Sequence, residues 1–242
     1  MDQEALSNLS RPNVLRVGIN LGNILLVTGK SAAGAPEGVA PDMAAALAER
    51  LGASVEYVTY PSPGEVADAV AHDEWDVGLI AEEPKRAESI SFCGAYVEIE
   101  ATYLVPEHSP LKSIEDVDRA GVRIAVSDRS AYDLYLSRTL EHAELCRAQG
   151  LVGAYELFVN ERLDALAGLR PALKGNAEAL AGSRVMDGGY TSVRQAIGTK
   201  PGNTALKTFA EAFIVEARES GLVRQLIEKH GVVGKLQVAT AA

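Results

Sequence analysis

The chain has 242 residues, of which 47% are apolar and 23% charged, so its composition is that of an ordinary globular protein. This length suits one large domain or two small ones, and the composition excludes disorder for the chain as a whole. The 33 acidic and 23 basic side chains give a formal net charge of −10, and only 5% of residues are aromatic. Both values argue against nucleic acid and anionic membrane surfaces as partners.

Targeting signals are weak in this sequence. No apolar run approaches the ~18 residues that a membrane-spanning helix needs. The opening residues, MDQEALSNLSRPN, contain neither the basic region nor the apolar region of a secretory leader. We therefore expect a cytoplasmic protein as the chain is written, or a periplasmic one if a leader was removed. Cys93 and Cys146 allow one disulfide at most, and their spacing does not call for it.

The first eighty residues alternate between apolar runs and helical patterns. We predict strands at residues 14–19, 55–58 and 75–80, and helices at residues 42–51 and 63–70, with a loop rich in glycine and alanine at 29–38. The resulting order is β-α-β-α-β. This order is typical of a doubly wound parallel sheet.

A second set of α/β segments follows. Residues 113–116 and 130–133 have the pattern of capping boxes, and the second of these predicts a helix from Ser130 to about residue 148. We further predict strands at 121–126 and 163–167, and helices at 154–160, 204–219 and 222–230.

The predicted fold class is α/β, with two doubly wound lobes joined by a two-stranded hinge. Strand-like segments at 101–105 and 193–198 would carry the chain from one lobe to the other and back. Lobe one is expected at residues 1–103 and 195–242, and lobe two at residues 104–194. A hinge of this kind implies a cleft that closes on a ligand.

Several segments, taken in order, carry a family resemblance. They are Leu15-Arg-Val-Gly-Ile-Asn20, Trp75-Asp-Val-Gly-Leu-Ile80, Pro84-Lys-Arg86, Ile90-Ser-Phe92 with Tyr96, Gly121-Val-Arg-Ile-Ala-Val126 and Arg162-Leu-Asp-Ala165. The ordered set resembles the type II periplasmic binding proteins, and among them the polar amino-acid (family 3) solute-binding proteins of ABC transporters. The resemblance implies a protein that binds a small carboxylate or amino-acid-like solute between its lobes and delivers it to an ABC permease. We expect a monomer without cofactor, metal or catalytic residues.

The resemblance also implies ligand-binding residues. Arg86 falls on an arginine that pairs with the ligand carboxylate through two parallel hydrogen bonds. Ser130 and Ala131 fall at the start of a lobe-two helix whose free N–H groups hold the same carboxylate. Asn20 and Asn23 would add amide hydrogen bonds from lobe one. The alternative interpretations are a surface arginine, a plain helix cap and ordinary turn asparagines.

The sequence departs from the family where an amine would bind. Relatives that bind α-amino acids place an aspartate shortly after the strand at 163–167, but residues 167–170 here are Ala-Gly-Leu-Arg. An ammonium without an anionic partner is costly to desolvate, so we expect a carboxylate or dicarboxylate ligand in place of an α-amino acid. Arg170 would then offer a second guanidinium group. The alternative is a solvated arginine before Pro171.

Two other functions stay open at this point. One is a lyase or dehydratase of the cyclohexadienyl dehydratase kind, with Glu82 or Glu83 as a general acid near Arg86. These glutamates could equally form a solvated turn before Pro84. The other is a cytoplasmic small-molecule sensor. Cys93 is expected to be a buried thiol, and the four histidines share no metal-ligand spacing with the cysteines, so we expect no zinc site.

Overall fold

The computed structural model describes residues 2–240. In chain order its elements are α1 (Gln3–Ser7), β1 (Val14–Asn20), β2 (Gly29–Lys30), β3 (Pro36–Glu37), α2 (Val39–Leu51), β4 (Ser54–Tyr60), α3 (Pro63–Asp68), β5 (Val77–Ala81), α4 (Pro84–Ala87), β6 (Ser91–Pro106), β7 (Arg123–Ser127), α5 (Ala131–Thr139), β8 (Glu144–Ala148), α6 (Gly150–Asn160), β9 (Ala165–Leu169), α7 (Arg170–Ala179), β10 (Ser183–Val185), β11 (Thr191–Thr199), α8 (Thr204–Glu219), α9 (Leu222–Lys229) and β12 (Gln237–Val238). Among these described helices, none is both long and apolar enough to cross a membrane.

The chain forms two compact units. Unit one comprises Met1–Glu98 and Arg194–Ala242, and unit two comprises Ile99–Val193. The expected boundaries lay after residues 103 and 194. Strand β6 runs without interruption from Ser91 to Pro106, and the boundary between the units falls within it, after Glu98. Its first half therefore belongs to unit one and its second half to unit two.

The sheet of unit one has the order β4-β1-β5-β11-β6, with its parallel strands on one side and β11 antiparallel to β5. β1 is parallel to both β4 and β5, with Gly18 directly opposite Gly78. This glycine pair makes room for the fully buried Trp75, because a Cβ atom on Gly18 would lie 2.8 Å from Cδ1 of the Trp75 ring. The indole Nε1–H donates to the carbonyl oxygen of Val66 at 2.9 Å. The tryptophan thus joins α3 to the sheet.

The sheet of unit two has the order β6-β9-β7-β8, with β10 paired to β6. β7 is parallel to β8 and β9, and β6 is antiparallel to β9. One apolar cluster fills the space between this sheet and its helices; its members include Leu104, Ala125, Phe158, Leu166 and Leu173. The predicted α/β class, with parallel strands inside each sheet, is confirmed.

The helix predicted from Ser130 to about residue 148 is wrong in its second half. Helix α5 ends at Thr139, and Glu144–Ala148 form strand β8, which is parallel to β7. The carboxylate of Asp118 accepts the backbone N–H groups of residues 141–143 at 2.8–2.9 Å. These three hydrogen bonds hold the turn that redirects the chain from the helix into the strand.

Candidate functional site

Arg86 lies at the carboxyl end of strand β5. It belongs to the short helix α4, where the side chain of Glu83 accepts the backbone N–H of Lys85 at 2.7 Å. The Arg86 side chain turns back over the strand, and its Nη1 donates to the carbonyl oxygen of Ala81, the last residue of β5, at 2.8 Å. Only 4% of Arg86 is exposed. The protein therefore holds this guanidinium at a defined place.

Asn20 and Asn23 both form turns with their own backbone. Oδ1 of Asn20, at the end of β1, accepts the N–H of Gly22 at 2.9 Å, and Oδ1 of Asn23 accepts the N–H of Leu25 at 3.2 Å. Each side-chain oxygen thus accepts one backbone N–H, and each amide nitrogen can act as a donor. The turn is tight, since a Cβ atom on Gly22 would lie 2.7 Å from the carbonyl oxygen of Pro61.

The arginine and the asparagines share one edge of the sheet of unit one. β1 and β5 are parallel neighbours with Ile19 opposite Leu79, so Asn20 and Ala81 end adjacent strands. Adjacent strands lie about 4.8 Å apart. In open α/β sheets, ligands bind outside the carboxyl ends of the parallel strands, where these donors lie.

Ser130 caps helix α5 in unit two, directly after strand β7. Its Oγ accepts the N–H of Asp133 at 3.0 Å, as the predicted capping box requires. The Asp133 carboxylate accepts the N–H of Arg129 at 2.8 Å in place of that of Ser130, so the reciprocal bond is shifted by one residue. Among the described residues, no acceptor is found for the backbone N–H of Ala131 or Tyr132. These donors lie at the positive end of the helix dipole.

Tyr132 adds a buried hydroxyl to the first turn of α5. The residue is 4% exposed, and its hydroxyl has no hydrogen-bond partner in the described chain. Burial raises the pKa of Tyr132 to about 12. Tyr190 has a second such hydroxyl, and its ring packs on Tyr103 with centroids 4.6 Å apart. Sequence reasoning missed both tyrosines, because nothing local distinguishes them from core aromatics.

Arg170 is fully engaged within unit two. Its guanidinium forms an ion pair with Glu100 through Nε, and Nη1 and Nη2 donate to the carbonyl oxygens of Met186 at 3.0 Å and Gly188 at 2.6 Å. Arg170 therefore joins the start of α7 to β6 and to the segment before β11. The guanidinium predicted as a second ligand anchor is thus paired with Glu100, and its contact with a ligand stays a prediction.

The two glutamates considered as general acids also have structural partners. Oε1 of Glu82 accepts from Nε of Arg194 at 2.5 Å, and Arg194 also pairs with Glu98. Glu83 caps α4 as described above. Cys93 is buried, and burial raises the pKa of its thiol to about 12, which disfavours the reactive thiolate. Within residues 2–240, no group of three or more histidine, cysteine, aspartate and glutamate side chains could hold a metal ion.

These features define a type II periplasmic binding protein fold, with candidate binding residues at the carboxyl edges of parallel strands. Residues 15–233 match the family model of bacterial extracellular solute-binding proteins, family 3. The chain therefore belongs to this family of solute-binding proteins. A comparison with curated proteins gives no significant match.

Solved structures agree with this fold. The solute receptor for L-cysteine of Neisseria gonorrhoeae is 19% identical, with a TM-score of 0.77 over 94% of this chain and 96% of that one. A mutant of ArgBP from T. maritima is 20% identical, with a TM-score of 0.76 over 94% and 99% of the two chains. An ancestral amino acid-binding protein, a precursor of cyclohexadienyl dehydratase, is 23% identical, with a TM-score of 0.74 over 90% and 94%. At these identities the likeness shows the fold alone.

Proposed function

We propose that this solute-binding protein recognises a small solute through the solute's carboxylate, with Arg86 as the main anchor. The observation that carries the proposal is the position of Arg86, whose guanidinium is held over the end of β5 by the carbonyl oxygen of Ala81. Asn20 ends the neighbouring strand and offers an amide nitrogen at the same edge. A guanidinium flanked by amide donors matches the acceptors of a carboxylate.

The first turn of α5 supplies a second candidate anchor. The N–H groups of Ala131 and Tyr132 are donors, and Ser130 fixes the turn that presents them. An anion is stabilised at such a helix start by the N–H groups and by the helix dipole.

The biological role follows from the family. Family 3 proteins are extracellular, so we propose that the protein acts outside the cytoplasm and hands its ligand to an ABC permease. Two solved relatives support an amino-acid-like size for the ligand, since one is a receptor for L-cysteine and another is bound to L-arginine. Fractionation of the native host, followed by detection with an antibody, checks the location.

Calorimetric titration tests the anchor. The probes are L-arginine, L-cysteine, L-glutamate, succinate, L-malate and citrate, applied to the natural protein, Arg86→Lys and Arg86→Ala. For the probe that binds best, we expect Arg86→Ala to raise the Kd about 100-fold, since a charge-assisted pair of hydrogen bonds is worth about 2–3 kcal/mol. Arg86→Lys should give an intermediate loss, because lysine keeps the charge without the planar fork.

Arg11→Ala is the matched control. Arg11 forms a surface ion pair with Glu56 at 2.5 Å, and half of its side chain is exposed. Its removal should change the Kd less than twofold. Thermal melting of each variant verifies folding. Unchanged binding by a folded Arg86→Ala protein would remove Arg86 from the site.

A further inference from the structure

We infer that Arg194 is a positioning residue for the ligand anchor Arg86. The inference rests on the proposed function, in which the guanidinium of Arg86 receives the carboxylate of the ligand. It goes further, because it gives a role to a second arginine that acts through the protein and not by touching the ligand. The route runs through Glu82, which directly follows strand β5 and precedes helix α4.

Arg194 holds Glu82 through its backbone and its side chain together. The N–H of Glu82 donates to the carbonyl oxygen of Arg194 at 2.9 Å, and Nε of Arg194 donates to Oε1 of Glu82 at 2.5 Å. Both contacts come directly after the last antiparallel pair of β5 and β11, in which Ala81 lies opposite Gln195. Because one residue fixes both the main chain and the carboxylate of Glu82, the chain leaves β5 in one defined direction.

The segment from Ala81 to Arg86 is short enough to carry a displacement of Glu82 to the anchor. The carbonyl oxygen of Ala81 accepts from Nη1 of Arg86 at 2.8 Å. The side chain of Glu83 caps α4 through the N–H of Lys85 at 2.7 Å. Helix α4 has only four residues, too few to keep its geometry without support from its neighbours. A change at Glu82 therefore alters both the acceptor that holds the guanidinium and the helix that carries it.

Arg194 can exert this hold because its own side chain is fixed. Its Nη1 pairs with the carboxylate of Glu98, and its Nη2 donates to the carbonyl oxygen of Thr240 at 3.3 Å. Glu98 in turn accepts from the backbone N–H and the hydroxyl of Thr240 at 3.0 and 3.2 Å. The Arg194 side chain is 23% exposed, so these contacts are largely shielded from water. The guanidinium thus joins the end of β5 to β6 and to the C-terminal segment, with a rigid fork of donors that lysine lacks.

Arg194 also neutralises charge close to the anchor. Glu82 lies four residues before Arg86 in the chain, and without Arg194 its carboxylate would lose the cation with which it is paired. An additional negative charge near the anchor repels an anionic ligand, even if the helix does not move. Position and charge are thus two separable effects, and substitutions can distinguish them.

Side-chain NMR of Arg86 tests the positioning directly, without a ligand. The Nε–H signal of Arg86 is identified in a proton–nitrogen correlation spectrum by its loss in Arg86→Lys. We expect Arg194→Met to shift or broaden this signal, and Arg194→Lys to do so less, because lysine keeps the charge but not the fork. An Arg86 signal that is identical in Arg194→Met and in the natural protein would overturn the inference.

Titration calorimetry shows whether the position of Arg86 matters for binding. The probe is whichever of L-arginine, L-cysteine, L-glutamate, succinate, L-malate and citrate binds the natural protein best. We expect Arg194→Met to raise the Kd about tenfold, which corresponds to the loss of roughly one net hydrogen bond to the ligand. Because Arg194 acts through Arg86, the double variant Arg86→Ala/Arg194→Met should bind within twofold of Arg86→Ala alone. Multiplied losses in the double variant would show that Arg194 acts independently of Arg86, and the inference would fall.

A second double variant separates position from charge. In Arg194→Met/Glu82→Gln the negative charge is gone but the hold on Glu82 is not restored, so we expect the weak binding to persist. Full recovery of affinity would reduce Arg194 to charge compensation and remove its positioning role. If Arg86→Ala binds as tightly as the natural protein, the anchor of the proposed function fails, while the NMR comparison still decides whether Arg194 positions Arg86.

Arg16→Met is the matched control. Arg16 lies at the other end of the same sheet, where it donates to Asp76 from Nη2 at 2.9 Å and from Nε at 3.2 Å, and its side chain is 12% exposed. Its loss should lower the melting temperature, yet leave the Arg86 signal unchanged and the Kd within twofold. Equal effects of Arg16→Met and Arg194→Met on Arg86 would show that any damage to this sheet disturbs the anchor, which would overturn a specific role for Arg194.

Discussion

The two ends of the sheet in unit one use charge in opposite ways. At the amino end, the fully buried Asp76 accepts from Nη2 and Nε of Arg16 at 2.9 and 3.2 Å and from the backbone N–H groups of Arg16 and Ser10. Asp73 and Lys200 complete this cluster. At the carboxyl end, the Arg86 guanidinium lies over the end of β5 and donates to the carbonyl oxygen of Ala81.

The difference separates stability from recognition within one sheet. At the amino end the protein supplies both partners of each polar interaction, so a change there should alter folding and leave the ligand preference intact. At the carboxyl end we propose that the carboxylate of the ligand accepts hydrogen bonds from Arg86. A change there should alter binding more than folding. Substitutions at either end, measured for both folding and binding, test this contrast.

The largest effect is expected from Asp76→Ala. Removing this carboxylate leaves the Arg16 guanidinium and two backbone N–H groups with lost partners in a largely buried place. Breaking a buried ion pair in this way costs about 3–5 kcal/mol of unfolding free energy. Urea denaturation followed by circular dichroism measures the loss, and titration of the folded variant should show an unchanged order of ligand preference.

Asp73→Ala provides the comparison for that loss. Asp73 contacts the same Arg16, but its side chain is 59% exposed. An exposed pair of this kind contributes up to about 1 kcal/mol. A loss of similar size for the two variants would contradict the assignment of Asp76 as the centre of the cluster. A changed ligand preference in either variant would break the contrast between the two ends.

The pH dependence of stability should show the same cluster. Burial alone would raise the pKa of Asp76, but the hydrogen bonds from Arg16 and Ser10 outweigh burial and hold it below its usual range. Hydrogen bonds from Lys200 and Arg16 lower the pKa of Asp73 to about 2. A carboxylate with a lowered folded pKa stabilises the protein above its unfolded pKa of about 4, and that contribution is lost as the pH falls below it.

Urea denaturation at pH 5, 4 and 3 checks this expectation. The free energy of unfolding of the natural protein should fall over this range. Asp76→Asn cannot titrate at this position, so its stability should fall less steeply. Parallel curves for the two proteins would show that Asp76 has the same pKa in the folded and unfolded states.

The sequence predicts the regular elements of the fold better than its irregular ones. The predicted helix at 204–219 is α8 of the structure with the same bounds, since its amphipathic pattern is long and its cap is local. Strand β8 was not predicted, because Glu144–Ala148 has no clear alternation and becomes a strand only by pairing with β7. Helix α7 was also missed, although Pro171 is compatible with its first turn.

The candidate site shows the same limit at the level of side chains. The sequence indicated Asn20, Asn23 and Ser130 by type and position. It could not show that the side-chain oxygens of the two asparagines accept backbone N–H groups within their turns. Arg170 shows this limit most clearly, because its partner Glu100 lies 70 residues earlier in the chain. Local pattern contains no information about such a pair. Only the antiparallel pairing of β6 and β9 brings the two residues together.

Arg170→Met is the most discriminating of these changes. The variant keeps the length of the side chain and removes the bonds to Glu100, Met186 and Gly188. We expect a loss of about 1–2 kcal/mol in unfolding free energy, since the ion pair is partly exposed and the carbonyl bonds are ordinary ones. The Kd for the preferred acid should change less than twofold. A loss of affinity comparable to that of Arg86→Ala would instead make Arg170 a ligand anchor and would extend recognition to the end of β9, where the structure now assigns stability.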